Sequence, residues 1–81
     1  MTTEDSEEKS LIPEIRQVLE EAVGPELAQT IIIGSCNILS VDEEDVHGEE
    51  FERLLLRLEI VLPSIVGFRL GETIIKRLRS I

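Results

Sequence analysis

The sequence predicts an all-α protein, a compact bundle of four to five helices. Apolar residues recur every three or four positions along most of the chain, which is the periodicity of amphipathic helices. Glycine and proline interrupt the pattern at intervals suited to short helices. The apolar residues are almost entirely Ile, Leu and Val, with two Phe and no Trp or Tyr, and such a composition suits close helix packing.

The 81 residues are enough for one domain and no more. Residues 1–9, MTTEDSEEK, are polar and acidic without apolar periodicity, and a disordered tail is predicted there. Residues 10–81 are predicted to form a single helical domain, whose own core is marginal because small domains bury a small share of their surface.

The first helix is predicted to start at Ser10, a favourable N-cap, with Pro13 in the first turn where its missing N–H costs nothing. Its apolar line continues to Ala22, and Gly24-Pro25 ends it. Pro25 is then predicted at the first position of a second helix, PELAQTIIIGSCNILS, in which residues 27–39 could form either a helix or a strand. The Thr-Ile-Ile-Ile run at 30–33 is prone to form a strand, but one lone strand would have no partner, so helix is favoured.

Ser40 and Glu43 match a capping box, S-x-x-E, and predict a short helical turn after the second helix. A longer helix is predicted from Glu49 to about Leu62. Pro63 is expected to end or kink it, with Ser64 near the start of a last helix that runs towards Ile81. Basic residues in the final turns of that last helix complement its dipole.

The helix from Glu49 is apolar on two faces, because Leu56 and Ile60 lie opposite its main apolar stripe. One layer of partner helices cannot cover both faces. We therefore predict a homodimer, or a contact with another protein, that buries Leu56 and Ile60. Arg53 and Arg57 are predicted to meet acidic residues across that contact.

Two segments of the chain, 43 residues apart, are alike. Residues 18–32 and 61–75 are identical at eight of fifteen positions, which predicts an internal pseudo-twofold repeat. The alternative is convergence of two amphipathic helices. Each segment has a glycine with a small residue four positions later, a spacing that lets helix backbones approach closely. The helices that begin at the two glycines are predicted to cross there; these close-packing positions are Gly24, Ala28, Gly67 and Gly71.

Net charge disfavours nucleic acid as a partner. The chain carries −9 with a pI near 4.4, split between −13 over residues 1–52 and +4 over residues 53–81. An acidic front and a basic rear can attract each other within one molecule or between subunits. Cys36 is the only cysteine, no secretory signal is evident, and no apolar run approaches the length of a membrane span. A cytoplasmic protein without a membrane or small-molecule partner is predicted.

Two resemblances supply alternative functions. LPSIVGFRLGETII (62–75), and less closely LEEAVGPELAQTII (19–32), resembles the helix-hairpin-helix, which implies paired nucleic-acid-binding units. Ser64 and Val66 stand where that motif has glycines, and the first copy has no Lys or Arg. Size, acidity and helical class also resemble an acyl-carrier protein, which implies phosphopantetheine on a serine at a helix start. The D-S-L context is absent from the candidates, Ser6, Ser35, Ser40 and Ser64.

The acidic segment VDEEDVHGEE is rich in oxygen ligands, but an EF-hand loop with Gly48 at its sixth position would place Leu54 where a bidentate Glu is needed. A solvated acidic helix start is predicted instead. One His, one Cys and no glycine-rich phosphate loop give no support to catalysis. The sequence predicts a protein–protein interaction or regulatory module without enzymatic activity, cofactor or metal.

Overall fold

The computed structural model describes residues 9–81, which form four α-helices and one 3₁₀ turn. The helices are α1 (Ile12–Val23), α2 (Pro25–Leu39), α3 (Glu49–Val66) and α4 (Phe68–Arg79), and the 3₁₀ turn is Glu43–Asp45. Over this range there is no strand, so the all-α prediction and the helix predicted over 27–39 are confirmed. The predicted disordered tail lies outside the described residues except for Lys9, which is exposed.

All four helices contribute to one aliphatic core. The principal helix pairs are α1–α2, α3–α4, α1–α4 and α2–α3. Val46, after the 3₁₀ turn, is also fully buried. The largest side chains with almost no exposure are Ile15, Leu19, Ile32, Leu54, Leu55, Leu58, Leu62, Ile74 and Leu78. Burial of a side chain of this size stabilises the fold by about 1.5–3 kcal/mol. No described helix combines the length and apolarity needed to cross a membrane.

Ser10 connects the start of α1 to the 3₁₀ turn. Its Oγ accepts a hydrogen bond from the Ile12 N–H at 3.1 Å and donates one to the Glu43 carbonyl at 2.5 Å. The adjacent Leu11 N–H donates to the Val46 carbonyl at 2.7 Å. The residue at the N-cap is Leu11, so the N-cap predicted at Ser10 is wrong, although the Ser10 hydroxyl still bonds the first residue of the helix.

Single glycines separate the helices of each sequential pair. Gly24 has φ 90° and ψ 161°, and Gly67 has φ 94° and ψ 163°, a backbone region that only glycine adopts readily. The Gly24 N–H donates to Glu20 and its carbonyl accepts from Ala28, at 2.9 and 3.0 Å. Gly67 repeats both bonds, with Pro63 and Gly71, at 3.0 Å each. A Cβ on either glycine would meet no atom within 4 Å, so backbone conformation requires these glycines rather than close packing.

Pro63 lies inside α3 instead of ending it. The helix continues to Val66, and α4 begins at Phe68 rather than near Ser64, so the boundary predicted at Pro63 is wrong. Proline removes one helical hydrogen bond, but only one turn follows it, and that turn closes with the Gly67 N–H bonded to the Pro63 carbonyl.

Gly71 lies directly over this proline. A Cβ on Gly71 would lie 3.2 Å from the Pro63 nitrogen and 3.4 Å from the Leu62 carbonyl carbon. The close approach at Gly71 therefore joins α4 to α3. Ala28, the matching residue of α2, is completely buried. The predicted direct crossing of α2 and α4 is not among the principal helix pairs.

Ser40 ends α2 and does not cap a following helix. Its φ of 58° and ψ of 43° place it in the left-handed region, and its N–H bonds to the carbonyl of Asn37. The 3₁₀ turn starts after Asp42 with no side-chain cap, so the predicted capping box of Ser40 and Glu43 is wrong. A residue that terminates the preceding helix in this conformation cannot also take the extended backbone of an N-cap.

Candidate interaction surface on helix α3

The outer face of α3 exposes two large aliphatic side chains. Leu56 is 57% exposed and Ile60 is 67% exposed. Residues four apart lie one turn apart on the same side of a helix, so the two side chains are neighbours. The opposite side of the helix is buried through Leu54, Leu55, Leu58 and Leu62. Within residues 9–81, no helix covers the second apolar face that the sequence predicts.

Two arginines lie along one edge of this face. The Arg53 guanidinium donates to the Leu39 carbonyl at 3.5 Å, at the C-terminus of α2, where the helix dipole favours a cation. Arg57 is half-buried, and its Nε has no hydrogen-bond partner among the described residues. Arg53 thus has a partner within its own chain, whereas Arg57 forms no ion pair with a described residue and its unbonded Nε is buried.

Acidic residues lie along the other edge. Glu59 forms a salt bridge with Arg79 of α4. Glu52, two turns before it, is exposed and forms no salt bridge with any described residue. We define the α3 face as Glu52, Arg53, Leu56, Arg57, Glu59 and Ile60, an apolar centre with a basic edge and an acidic edge.

A groove between α3 and α4 adjoins the acidic edge. It encloses about 290 Å³ and is floored by Pro63, Gly71 and Ile75, with Lys76 on its rim. Phe68 at its end is 72% exposed, the most exposed large apolar residue of the described chain. Helical periodicity does not single out Phe68; the signal in the sequence is its place at the first position of α4, where α2 has Pro25.

Among the described residues, one salt bridge connects the acidic front of the chain to its basic rear. Arg77 of α4 lies 2.7 Å from Glu21 of α1, and this hydrogen-bonded guanidinium lowers the pKa of the Glu21 carboxyl. A second salt bridge, in which Arg16 lies 3.3 Å from Glu43, is formed within the acidic front. These side chains are about a third to a half exposed, so each pair adds little stability. The unequal charge distribution thus supplies contacts within one molecule.

The fold does not support the metal, helix-hairpin-helix or acyl-carrier sites that the sequence raised as candidates. Within the described range, no three His, Cys, Asp or Glu residues are grouped so that they could hold a metal ion. Ser64 and Val66, where a helix-hairpin-helix has its turn, lie within α3. Ser35 is buried in the middle of α2, and Ser40 lies at the end of that helix.

Cys36 is an enclosed thiol. It is 4% exposed, and burial raises the pKa of its thiol, with a further contribution from the negative charge of Glu43. Because the thiolate is the reactive form, we expect Cys36 to react with a thiol reagent at least about 100-fold more slowly than in the unfolded chain. Stopped-flow labelling with and without urea measures this ratio.

The matched control for Cys36 places the thiol one residue further along α2. Asn37 is exposed, so Asn37→Cys in a Cys36→Ser background is expected to react at nearly the unfolded rate. Fast labelling of Cys36 itself in the folded chain would contradict its enclosure.

Comparison with known proteins adds no relative, since no protein-family model, no curated protein and no solved structure matches this chain.

Proposed function

We propose that this protein is a small protein–protein interaction module that self-associates through the α3 face. The observation that carries the proposal is the exposure of Leu56 and Ile60 side by side, at 57% and 67%. Single exposed aliphatics are common on protein surfaces and need no explanation. Two of them one turn apart, centred between charged edges of opposite sign, form the apolar centre and polar rim typical of an interface.

A second copy suits this face on charge grounds. The whole chain carries −9, so most of its surface repels another copy. The α3 face is locally balanced, because two arginines oppose two glutamates across the apolar centre. A contact built on one helix per copy is small, and we expect weak association with a Kd in the micromolar range or above.

Catalysis and cofactor binding are not part of the proposed role. The module acts by contact, and the enclosed thiol of Cys36, the only cysteine, is consistent with a reducing compartment such as the cytoplasm. The alternative partner is another protein that offers the same chemistry, an apolar helix face with charged edges.

Removing the apolar centre is expected to weaken self-association. Leu56→Glu and Ile60→Glu each put a carboxylate where apolar contact is proposed, and each should raise the dimer Kd about tenfold or more. Sedimentation velocity over a range of protein concentrations measures this constant. Because both side chains are exposed in the monomer, the thermal midpoint at low concentration should stay nearly unchanged.

Ile38→Glu is the matched control. Ile38 is 60% exposed but lies on α2, outside the α3 face, so this variant should associate like the unmodified chain. The proposed role of α3 would be wrong if the protein is a monomer at several hundred micromolar. It would also be wrong if Ile38→Glu weakens association as much as Leu56→Glu and Ile60→Glu do.

We also propose that residues 18–32 and 61–75 are two copies of one helix–glycine–helix unit related by a pseudo-twofold axis. The nearly equal backbone angles at Gly24 and Gly67 and their repeated hydrogen bonds support it. Thr30 and Thr73 each donate to the carbonyl four residues earlier, both at 3.1 Å. Exchange of α1 with α3 and of α2 with α4 also converts the α1–α4 pair into the α2–α3 pair.

A further inference from the structure

We infer that the two copies associate with their α3 helices parallel, and that Glu52 of each copy bonds Arg57 of the other. This inference rests on the proposed function and deepens it by assigning the residues that set the orientation. Glu52 is not among the interface residues that the sequence predicts, since neither helical periodicity nor exposure of apolar groups singles it out.

The spacing along α3 defines the centre and edges of the contact. Leu56 and Ile60, four residues apart and both exposed, form the central line of two helices packed side by side. In the seven-residue repeat of a coiled coil, Leu56 takes a d position and Ile60 an a position. This combination favours a parallel coiled coil of two helices. Arg57 then lies at an e position on one edge, and Glu52 and Glu59 lie at g positions on the other edge.

Symmetry makes the edges distinguish the two orientations. A twofold axis parallel to the helices brings the basic edge of one copy against the acidic edge of the other. A twofold axis perpendicular to the helices brings basic against basic and acidic against acidic. Facing e and g positions of opposite charge attract, whereas like charges at a contact are destabilising, so the parallel arrangement is favoured.

The existing bonds of each charged group identify the pair. Arg53 already donates to the Leu39 carbonyl, and Glu59 already pairs with Arg79. Neither Glu52 nor Arg57 forms an ion pair with a described residue. A g residue meets the e residue five positions later on a parallel neighbour, and Arg57 is five positions after Glu52.

Charge reversal at these two positions tests the orientation. In the parallel arrangement, Glu52→Arg and Arg57→Glu each replace two attractions by two repulsions, and each should raise the dimer Kd about tenfold at low salt. The double variant Glu52→Arg/Arg57→Glu exchanges the charges and should return Kd to within about threefold of the original. Sedimentation equilibrium at 50 mM and 500 mM salt measures each constant, and the differences should shrink at the higher salt.

The opposite outcome overturns the inference. With antiparallel helices, Glu52→Arg would relieve a repulsion between acidic edges and tighten the dimer, and the double variant would show no rescue. Failure of the inference is distinct from failure of the proposed function. If Leu56→Glu disrupts the dimer but the double variant shows no rescue, the α3 face remains the proposed interface and only the parallel pairing is wrong. Circular dichroism of each variant confirms that the helices are intact, as expected for exposed or half-buried positions.

Discussion

Replacement of Gly71 by leucine is expected to lower the free energy of unfolding by about 2–3 kcal/mol. Even the first atom of the new side chain would lie 3.2 Å from the Pro63 nitrogen. That neighbour is backbone inside α3, so it cannot move aside as the end of a flexible side chain would. The remaining atoms of leucine would force α4 away from α3 and loosen the contacts of Ile74 and Ile75.

Gly34→Leu is the matched control for this substitution. Gly34 also lies inside a helix, but a Cβ there would meet no atom within 4 Å. Leucine is a better helix former than glycine, so this variant should be more stable by about 0.7 kcal/mol. Urea denaturation, followed by the circular dichroism signal of the helices, gives the free energy of unfolding of both variants. Equal stability of the two variants would show that Gly71 is not a close contact.

Local periodicity predicted most of the helical structure. Side chains recurring at helical spacing identified the buried faces of α1 and α3, and they also placed Leu56 and Ile60 on the uncovered side of α3. These features depend only on the order of residues along one helix. They could therefore be deduced without knowing how the helices pack.

The boundary near Pro63 could not be deduced in the same way. A proline usually ends a helix, but here the following turn stays helical and the chain bends at Gly67. That outcome depends on a contact between two helices, since the helix around Pro63 packs against Gly71. Likewise Ser40 has the chemistry of a helix start, and its left-handed backbone is set by the end of α2.

The edges of the α3 face show the same division. The sequence predicts that the two arginines are interface residues, but their different bonding depends on the neighbouring Leu39 and so on the fold. Which of Glu52 and Glu59 is available likewise depends on where α4 places Arg79. Sequence periodicity thus gives the position of the candidate face, and the tertiary contacts decide which of its charges remain for a partner.

Gly24 and Gly67, the two glycines at the joints between sequential helices, are expected to have the largest effect on stability when both are replaced by L-alanine. Gly24 and Gly67 have positive φ with ψ above 160°, a region that costs an L-residue about 1–3 kcal/mol. Each single substitution should lower the free energy of unfolding by about 2 kcal/mol. Because the two joints lie in different helix pairs, the double variant should lose about 4 kcal/mol.

D-alanine at the same positions isolates the backbone conformation as the cause. A D-residue with positive φ and a ψ near 160° has the mirror image of an extended L-residue, which is an allowed conformation. An L-alanine Cβ at either position would have no atom within 4 Å, so crowding does not explain a loss of stability with L-alanine. Chemical synthesis gives access to both forms of the 81-residue chain, and urea denaturation compares them. If the two helix–glycine–helix units are equivalent, D-alanine at both joints should give near-native stability, and L-alanine at both joints should lower the free energy of unfolding. A large loss at only one joint would mean that the two units bend by different means, and the proposed repeat would then be reduced to sequence likeness.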